Sequence, residues 1–337
     1  MKQDPAGPSE PQAVAWAKPP PTHVRTERPL WPARLALVLV SILTSLCLAE
    51  IGLRLFCRNS LARIENERSL TYRYDRTLGW FPVPNSRTRI TGARTFTAVH
   101  NSEGFRGPER AKNHKPGIIF LGDSLVWGFD VENSERFTDK LQARHPEWAI
   151  YNFGISGYGT DQEYLLLQKY FDQYQPKVVF LVICGDNDNE DNAWNFRGGY
   201  YKPYFTLQGG GLKLHGVPVP KSERAFFAEH KLLCRPYLTR LVARAYYNMN
   251  SPRPVKNSDP PTGVLLLEMR TYVARKGAFF AVGLQQGHPD LEKFLQKYNI
   301  PYVDLTTTNS AHRYTAGNHW TPEGHKFVAD KIDRFLK

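Results

Sequence analysis

The stretch Ile118-Ile119-Phe120-Leu121-Gly122-Asp123-Ser124 decides the fold of this chain. A short apolar run that ends in a Gly-Asp-Ser turn is typical of a buried strand in a parallel sheet, here with a serine directly after its carboxyl end. In open α/β sheets, ligands bind at that edge. A serine there can act as a nucleophile if the chain also supplies a base and hydrogen-bond donors for a developing oxyanion.

Strands and helices alternate along the sequence from this point. Strands are predicted at about 117–121, 149–153, 178–184, 278–284 and 300–305. Thr160 begins a capping box, Thr262 begins a helix that ends at Gly277, and Thr321-Pro322 fits the N-cap and N1 positions of the last helix. This rhythm predicts an α/β fold, a three-layer α/β/α sandwich around a central, mostly parallel sheet of about five strands.

Three further sequence blocks lie at the end of a predicted strand or the start of a predicted helix. They are Asn152-Phe-Gly-Ile-Ser-Gly157, Gly185-Asp186-Asn187-Asp188 and His319-Trp-Thr-Pro-Glu-Gly-His325. With the Gly-Asp-Ser turn, these blocks resemble those of the SGNH (GDSL-type) hydrolase superfamily over roughly residues 115 to 337. The resemblance implies the flavodoxin-like SGNH fold and a serine esterase or carbohydrate O-acetyltransferase activity.

The resemblance also implies roles for individual residues. Ser124 is the expected nucleophile, and His319 is the expected base because imidazole titrates near neutral pH. The expected oxyanion donors are the N–H of Ser124, the N–H of Gly157 and the side-chain amide of Asn187. We expect no cofactor and no metal. An acidic cluster after the third strand could bind a hard cation, although a loop tether and solvated carboxylates are favoured. Its members are Asp186, Asp188, Glu190 and Asp191.

One position departs from the family pattern. The family usually carries an aspartate three, sometimes two, residues before the histidine, where this chain has Ala316 and Gly317. A backbone carbonyl could orient the imidazole instead, or Asp304 at the end of the fifth strand could reach it. The third alternative is a weak or inactive SGNH-fold protein that serves in carbohydrate binding or assembly.

The N-terminal part of the chain has a different composition. Residues 1–34 are rich in proline and polar residues and are predicted to form a disordered tail. Residues 35–57 are predicted to form one transmembrane helix, since about 23 largely apolar residues can span a bilayer. A cleaved signal peptide and a buried core helix are the less favoured alternatives. Residues 58–115 are predicted to form a lead-in segment of short strands and turns that packs on the catalytic domain.

The SGNH hydrolase domain is assigned to residues 116–337, with an insertion at 195–261. An insertion of roughly 65 residues is far longer than an ordinary connection between a strand and a helix. Its aromatic residues, from Tyr200 to Phe205, indicate an ordered lid or substrate wall. Gly209-Gly210-Gly211 is typical of a hairpin turn.

The formal net charge of +12 bears on the expected partners. Lysine and arginine are scattered and no nucleic-acid motif is present, so proximity to an anionic membrane is favoured over nucleic acid. Basic residues flank the apolar segment on both sides and do not decide its orientation. The family resemblance favours a periplasmic or extracytoplasmic catalytic domain. The expected partners are an ester or acetylated carbohydrate substrate and a membrane, reached through one N-terminal helix.

Overall fold

The computed structural model describes residue 7 and residues 30–63, 65–112 and 116–337, apart from the side chains of residues 185 and 186. The predicted disordered tail, 1–34, therefore lies almost entirely outside the described residues. The chain divides into two compact units, one ending at Ile51 and one from Gly52 to Lys337.

Helix α1 (Trp31–Phe56) occupies the predicted transmembrane segment. It begins at Trp31, within the predicted tail, rather than at residue 35. Its length and composition are sufficient to cross a membrane, and it is the one such helix among the described residues. None of its residues is buried, so α1 is not part of the hydrophobic core.

The lead-in segment folds into one short helix and two antiparallel hairpins. Its elements are α2 (Glu67–Thr71), β1 (Tyr72–Asp75), β2 (Gly79–Pro82), β3 (Arg87–Thr91) and β4 (Thr95–Val99). Trp80, Phe81 and Phe96 are buried, and the Phe105 ring stacks on Phe153 with centroids 4.0 Å apart. The hairpins therefore belong to the core of the second unit.

The first half of the catalytic domain supplies three strands of the main sheet. Its elements are β5 (Gly117–Gly122), α3 (Ser124–Trp127), α4 (Phe137–Arg144), β6 (Ala149–Gly154), α5 (Thr160–Tyr174), β7 (Val178–Ile183) and α6 (Gly185–Ala193). Every residue of β5 and β6 is buried, as expected for strands covered on both faces.

The insertion contains four short strands and two helices. They are β8 (Phe196–Arg197), β9 (Tyr200–Tyr201), β10 (Tyr204–Gln208), β11 (Gly211–His215), α7 (Glu223–Glu229) and α8 (Tyr237–Asn250). β10 and β11 form the predicted hairpin, with Gly209 and Gly210 between the paired residues Gln208 and Gly211. Tyr200, Tyr201 and Phe205 are buried, so these rings stabilise the insertion from within rather than forming an open substrate wall.

The last elements complete the sheet and cover it. They are α9 (Thr262–Arg275), β12 (Phe279–Leu284), α10 (Pro289–Lys297), β13 (Tyr302–Asp304) and α11 (Pro322–Leu336). The strand order is β13-β12-β7-β5-β6, and every pairing is parallel. Apolar residues of α5 and α9 belong to one core cluster, and those of α4 and α11 to another. The predicted three-layer sandwich with a five-stranded parallel sheet is confirmed.

The order of the strands creates a crevice. β6 follows β5 along the chain and lies on one side of it, whereas β7 lies on the other. β5 connects to β6, whereas β7 connects in the opposite direction to β12, so the connections leaving the neighbouring strands β5 and β7 diverge at the carboxyl ends of the strands, where ligands bind in open α/β sheets. Ser124 follows β5 at this edge.

Candidate active site

Ser124 is the first residue of α3, directly after β5. The Asp123 carboxylate accepts a hydrogen bond from the N–H of Leu125 at 2.9 Å and caps this short helix. A Cβ atom on Gly122 would overlap the side chain of Val126, so only glycine fits the tight passage from strand to helix. Ser124 itself is partly exposed. The turn thus presents a serine hydroxyl at the edge of a buried sheet.

His319 reaches the serine from the loop before α11. Its Nε2 lies 3.0 Å from the Ser124 Oγ, and its carbonyl accepts a hydrogen bond from the N–H of Tyr314 at 2.9 Å. The Phe129 ring covers the imidazole at a centroid distance of 4.7 Å. The structure therefore brings the two residues expected to be nucleophile and base within hydrogen-bond distance, the geometry that proton transfer needs.

The carboxylate of Asp130 contacts the imidazole of His319. Its Oδ2 lies 3.2 Å from Nδ1 of His319, on the opposite side of the ring from Ser124, and the residue is 1% exposed. Asp304, the candidate from the sequence, is exposed and accepts a hydrogen bond from the N–H of Thr306 at 2.8 Å. The prediction of Asp304 is therefore corrected to Asp130, because the imidazole faces the loop after α3 rather than the end of β13.

The lead-in segment holds Asp130 in place. The other carboxylate oxygen, Oδ1, accepts a hydrogen bond from the N–H of Ala93 at 2.8 Å, in the turn between β3 and β4. Arg94 of the same turn forms an ion pair with Glu135, with Nη2 and Oε2 2.6 Å apart. Asp130 has φ of +67°, a left-handed conformation that aspartate tolerates better than most residues. The acid is thus fixed from both sides, by the backbone of the turn and by the imidazole.

The sequence contained a signal for Asp130 that the family pattern obscured. Asp130 lies between Phe129 and Val131 in the same block as Ser124. An acidic residue within an apolar stretch is expected to be buried and therefore to have a hydrogen-bond partner. The family usually has an acid beside the histidine, whereas the carboxylate that contacts His319 in this chain lies beside the serine in sequence.

The expected oxyanion donors follow strands β5, β6 and β7. Gly157 lies in the loop after β6, with φ of +78°, and Asn187 lies on α6 after β7, with an exposed side chain. Since β6 and β7 flank β5, the parallel strands deliver both residues to the same edge as Ser124. A Cβ atom on Gly157 would overlap the guanidinium of Arg68, a residue of α2, so glycine is required there.

Buried acidic residues lie below this edge of the sheet. Burial raises the pKa of Asp123, although the hydrogen bond from Leu125 and the positive charge of Arg197 oppose the rise. Burial, together with the charges of Asp188 and Asp123, raises the pKa of Glu163 well above its ordinary value. Both carboxylate oxygens of Glu163 are buried without a hydrogen-bond partner among the described residues. This environment therefore favours the neutral form of the carboxyl group.

One buried ion pair connects the insertion to the core. Lys202 of the insertion pairs with Asp161 of α5, and the side chains of both are completely buried. The Lys202 ammonium also donates to the carbonyls of Asp191 and Trp194, at 2.9 and 3.2 Å. Of the predicted acidic cluster, Asp188 accepts from the N–H of Cys184 at 2.6 Å, as expected for a loop tether. Within the described ranges, His, Cys, Asp and Glu form no cluster placed to hold a metal ion.

The sequence matches the GDSL-like Lipase/Acylhydrolase family over residues 120–327, which is more than half of the chain. The chain belongs to this family. At the level of the family it is an ester hydrolase, and the resemblance found in the four sequence blocks is confirmed. No curated protein matches the sequence.

Several solved structures are similar to the chain at low sequence identity. A G-D-S-L family lipolytic protein from Veillonella parvula is 15% identical and covers 65% of this chain and 96% of its own, with a TM-score of 0.39. The esterase EstA from Pseudoalteromonas is 12% identical, with coverages of 66% and 99% and a TM-score of 0.35. An acetyl xylan esterase is 12% identical, with coverages of 66% and 100% and a TM-score of 0.39.

Proposed function

We propose that Ser124, His319 and Asp130 form a catalytic triad that cleaves an ester through an acyl-enzyme. The observation that carries the proposal is the pair of distances on either side of the His319 ring, 3.0 Å to Ser124 and 3.2 Å to Asp130. A triad requires this arrangement, since the imidazole accepts the serine proton at Nε2 while the carboxylate holds the N–H at Nδ1.

In the first half of the reaction, Ser124 Oγ attacks the ester carbonyl and its proton passes to His319 Nε2. The carbonyl oxygen becomes an oxyanion, for which we assign three donors: the N–H groups of Ser124 and Gly157 and the side-chain amide of Asn187. The C–O bond to the alcohol then breaks, and the imidazolium returns the proton to the departing oxygen. Asp130 stabilises the imidazolium without taking the proton itself.

In the second half, an acceptor hydroxyl attacks the acyl-serine carbonyl while His319 removes its proton. The bond from the acyl carbon to Ser124 Oγ then breaks, and the imidazolium returns the proton to that oxygen. Water as acceptor makes the protein a hydrolase, and a sugar hydroxyl makes it an O-acyltransferase. We propose O-acetyl groups of a cell-envelope polysaccharide as the substrate class. The support is the likeness of the block from His319 to His325 to that of exported polysaccharide O-acetyltransferases.

We further propose that α1 spans a membrane once and that the catalytic unit lies on its periplasmic or extracytoplasmic side. The support is an apolar helix of 26 residues with no buried position. The full chain should remain with membranes after an alkaline carbonate wash and keep its N-terminal residues. Release in a shortened form would identify α1 as a cleaved signal sequence instead.

The triad is tested by treating the full chain, in detergent, with a fluorophosphonate and measuring its intact mass. The wild type should gain one adduct. Ser124→Ala should gain none, and Asp130→Asn should react far more slowly. Asp304→Asn is the matched control and should react like the wild type, because the Asp304 side chain is exposed and its carboxylate accepts a hydrogen bond from the N–H of Thr306 in its own turn.

The alternative of a non-catalytic binding or assembly protein rested on the absent orienting acid. Our assignment of Asp130 removes that ground, and two tyrosines of the insertion that could have bound a carbohydrate make contacts within the fold. The Tyr201 hydroxyl donates to the carbonyl of Pro252 at 2.6 Å, and the Tyr204 ring stacks on His215. A folded wild-type sample that gains no adduct would restore this alternative.

A further inference from the structure

Helix α8 of the insertion carries its large apolar side chains on the outside. Leu241, Val242, Tyr246 and Met249 are 43, 67, 59 and 84% exposed. Their spacing places them on one face of a helix, whereas Arg240 and Ala243 on the opposite face are buried. An amphipathic helix of a water-soluble domain turns its apolar face inward, so α8 has the reverse orientation.

Leu232 and Leu233, just before α8, extend this apolar surface and are 73 and 56% exposed. We call these two residues and the four apolar residues of α8 the α8 patch. From residue 57 onward, every large apolar side chain that is more than half exposed in the described part of the chain belongs to it. The remaining exposed apolar side chains, such as Leu207 and Phe279, are scattered and at most 46% exposed. A contiguous patch of this kind indicates an interaction surface.

The chain leaves α1 directly beside α8. The Arg240 guanidinium donates from Nη1 to the carbonyl of Leu61 at 3.1 Å, and Arg244 donates to the carbonyl of Ser60. Arg54, in the last turns of α1, lies over the Tyr237 ring at 5.1 Å. The residues that follow the apolar helix are therefore bound to the helix that carries the patch.

The charge around the patch favours one occupant. Residues 231–250 contain four basic residues and no acidic residue. Lys231 and Arg235 are exposed beside Leu232 and Leu233. Apolar and aromatic side chains flanked by lysine and arginine are the composition of helices that lie in the interface of an anionic bilayer. A second copy of this chain would place these like charges opposite each other.

We propose that the α8 patch inserts into the interface of the same phospholipid bilayer that α1 crosses. This inference rests on the proposed membrane anchor. It gives the catalytic unit two attachments to the membrane, one spanning helix and one interfacial helix. The two attachments restrict rotation of the unit about the anchor, so that the Ser124 edge keeps a constant orientation to the membrane surface.

The test is photo-crosslinking of the full chain in vesicles of phosphatidylglycerol and phosphatidylethanolamine. A benzophenone side chain replaces Val242 or Met249 in the patch, Ile42 in α1, or Phe279 at the start of β12. After irradiation, mass spectrometry identifies the adduct. We expect lipid adducts at positions 42, 242 and 249 and none at 279, which is exposed but outside the patch.

Each other outcome is decisive. Lipid adducts at 42 but not at 242 or 249 would overturn the inference and leave the anchor intact. No lipid adduct at 42 would instead refute the anchor. Crosslinks between two chains at 242 and 249 would assign the patch to a second copy and overturn the membrane proposal.

A charge placed in the patch gives a second measurement. Val242→Glu should fold, because the side chain is 67% exposed, and should keep the ester hydrolysis rate of the wild type on a small soluble ester. It should lower the lipid adduct formed from a benzophenone at position 249 by roughly tenfold, since a carboxylate resists insertion beside anionic lipid. An unchanged yield in the active variant would count against the proposal.

Discussion

The lead-in segment and the insertion are both additions to the five-stranded sheet, but they contribute differently to the molecule. The lead-in places the turn Gly92–Arg94 against Asp130 and Arg68 against Gly157, so it contacts the residues assigned to catalysis. The insertion is joined to the core through the buried pair of Lys202 and Asp161 and presents α8 on its outer side. Residues that precede the domain thus contact the residues that we propose for catalysis, whereas the long insertion joins the core through a buried ion pair and extends the surface.

The largest effect is expected at Asp130, the carboxylate that the lead-in segment holds. Asp130→Asn keeps the size of the side chain but removes the charge that fixes the tautomer of His319 and stabilises the imidazolium. By analogy with triads in general, kcat should fall by about 10⁴-fold. The measurement is steady-state hydrolysis of a small ester, with a Ser124→Ala sample defining the background. An equal loss in Asp304→Asn would show that Asp130 has no special role.

The insertion should be most sensitive at Lys202. Lys202→Met leaves the Asp161 carboxyl group buried without its cation, and breaking a buried pair in this way costs about 3–5 kcal/mol. The free energy of unfolding in urea should fall accordingly, while kcat per folded molecule remains near that of the wild type. The double variant Lys202→Met/Asp161→Leu should recover much of the stability. A large loss of kcat without loss of stability would contradict the conclusion that the insertion stabilises the fold and the lead-in segment contacts the residues proposed for catalysis.

The sheet and its helices could be predicted from the sequence because local signals determined them. Thr321 caps α11 and the apolar run from Val178 forms β7, as the pattern indicated. The capping box predicted at Thr160 is wrong by one residue, because the N-cap of α5 is Gly159. The pairing of Ser124 with His319, whose hydrogen bond joins residues far apart in the chain, was predictable only through the family resemblance.

The role of the lead-in was not predictable from local signals. The hydrogen bond from Ala93 to Asp130 joins two segments that are 37 residues apart, and nothing in the turn sequence Gly92-Ala93-Arg94 indicates a catalytic partner. The prediction of a substrate wall from the aromatic residues of the insertion was wrong for a related reason. The sequence does not distinguish a buried tyrosine from one that faces substrate, because the two differ only in how the folded chain packs around them.

A smaller effect on kcat should distinguish the two segments when one hairpin glycine in each is replaced by alanine. A Cβ atom on Gly92, in the lead-in hairpin, would overlap the Asp130 carboxylate, whereas one on Gly211, in the insertion hairpin, meets only the carbonyl of Gln208 at 3.9 Å. Gly92→Ala should therefore move the acid away from His319 and reduce kcat by about 10- to 100-fold. Gly211→Ala should leave kcat unchanged. Equal kcat values in the two variants would mean that the β3–β4 turn does not position Asp130.

The smallest effect is expected at Glu163 of α5. This residue belongs to neither the lead-in segment nor the insertion, so its variant tests the core that both segments join. Its pKa is raised in the folded state by burial and by nearby carboxylates, so the folded protein holds a proton that the unfolded chain releases above about pH 4.5. This group therefore contributes its full stability below that pH, and the contribution declines as the pH rises toward the folded pKa, by up to about 1.4 kcal/mol per pH unit.

Glutamine cannot ionise, so Glu163→Gln should match the wild type near pH 4 and exceed its free energy of unfolding at pH 7. Glu190→Gln, at an exposed position of α6, is the control and should follow the wild type throughout. Parallel stability curves for Glu163→Gln and the wild type from pH 4 to pH 7 would mean that Glu163 is ionised in the fold and has a partner there.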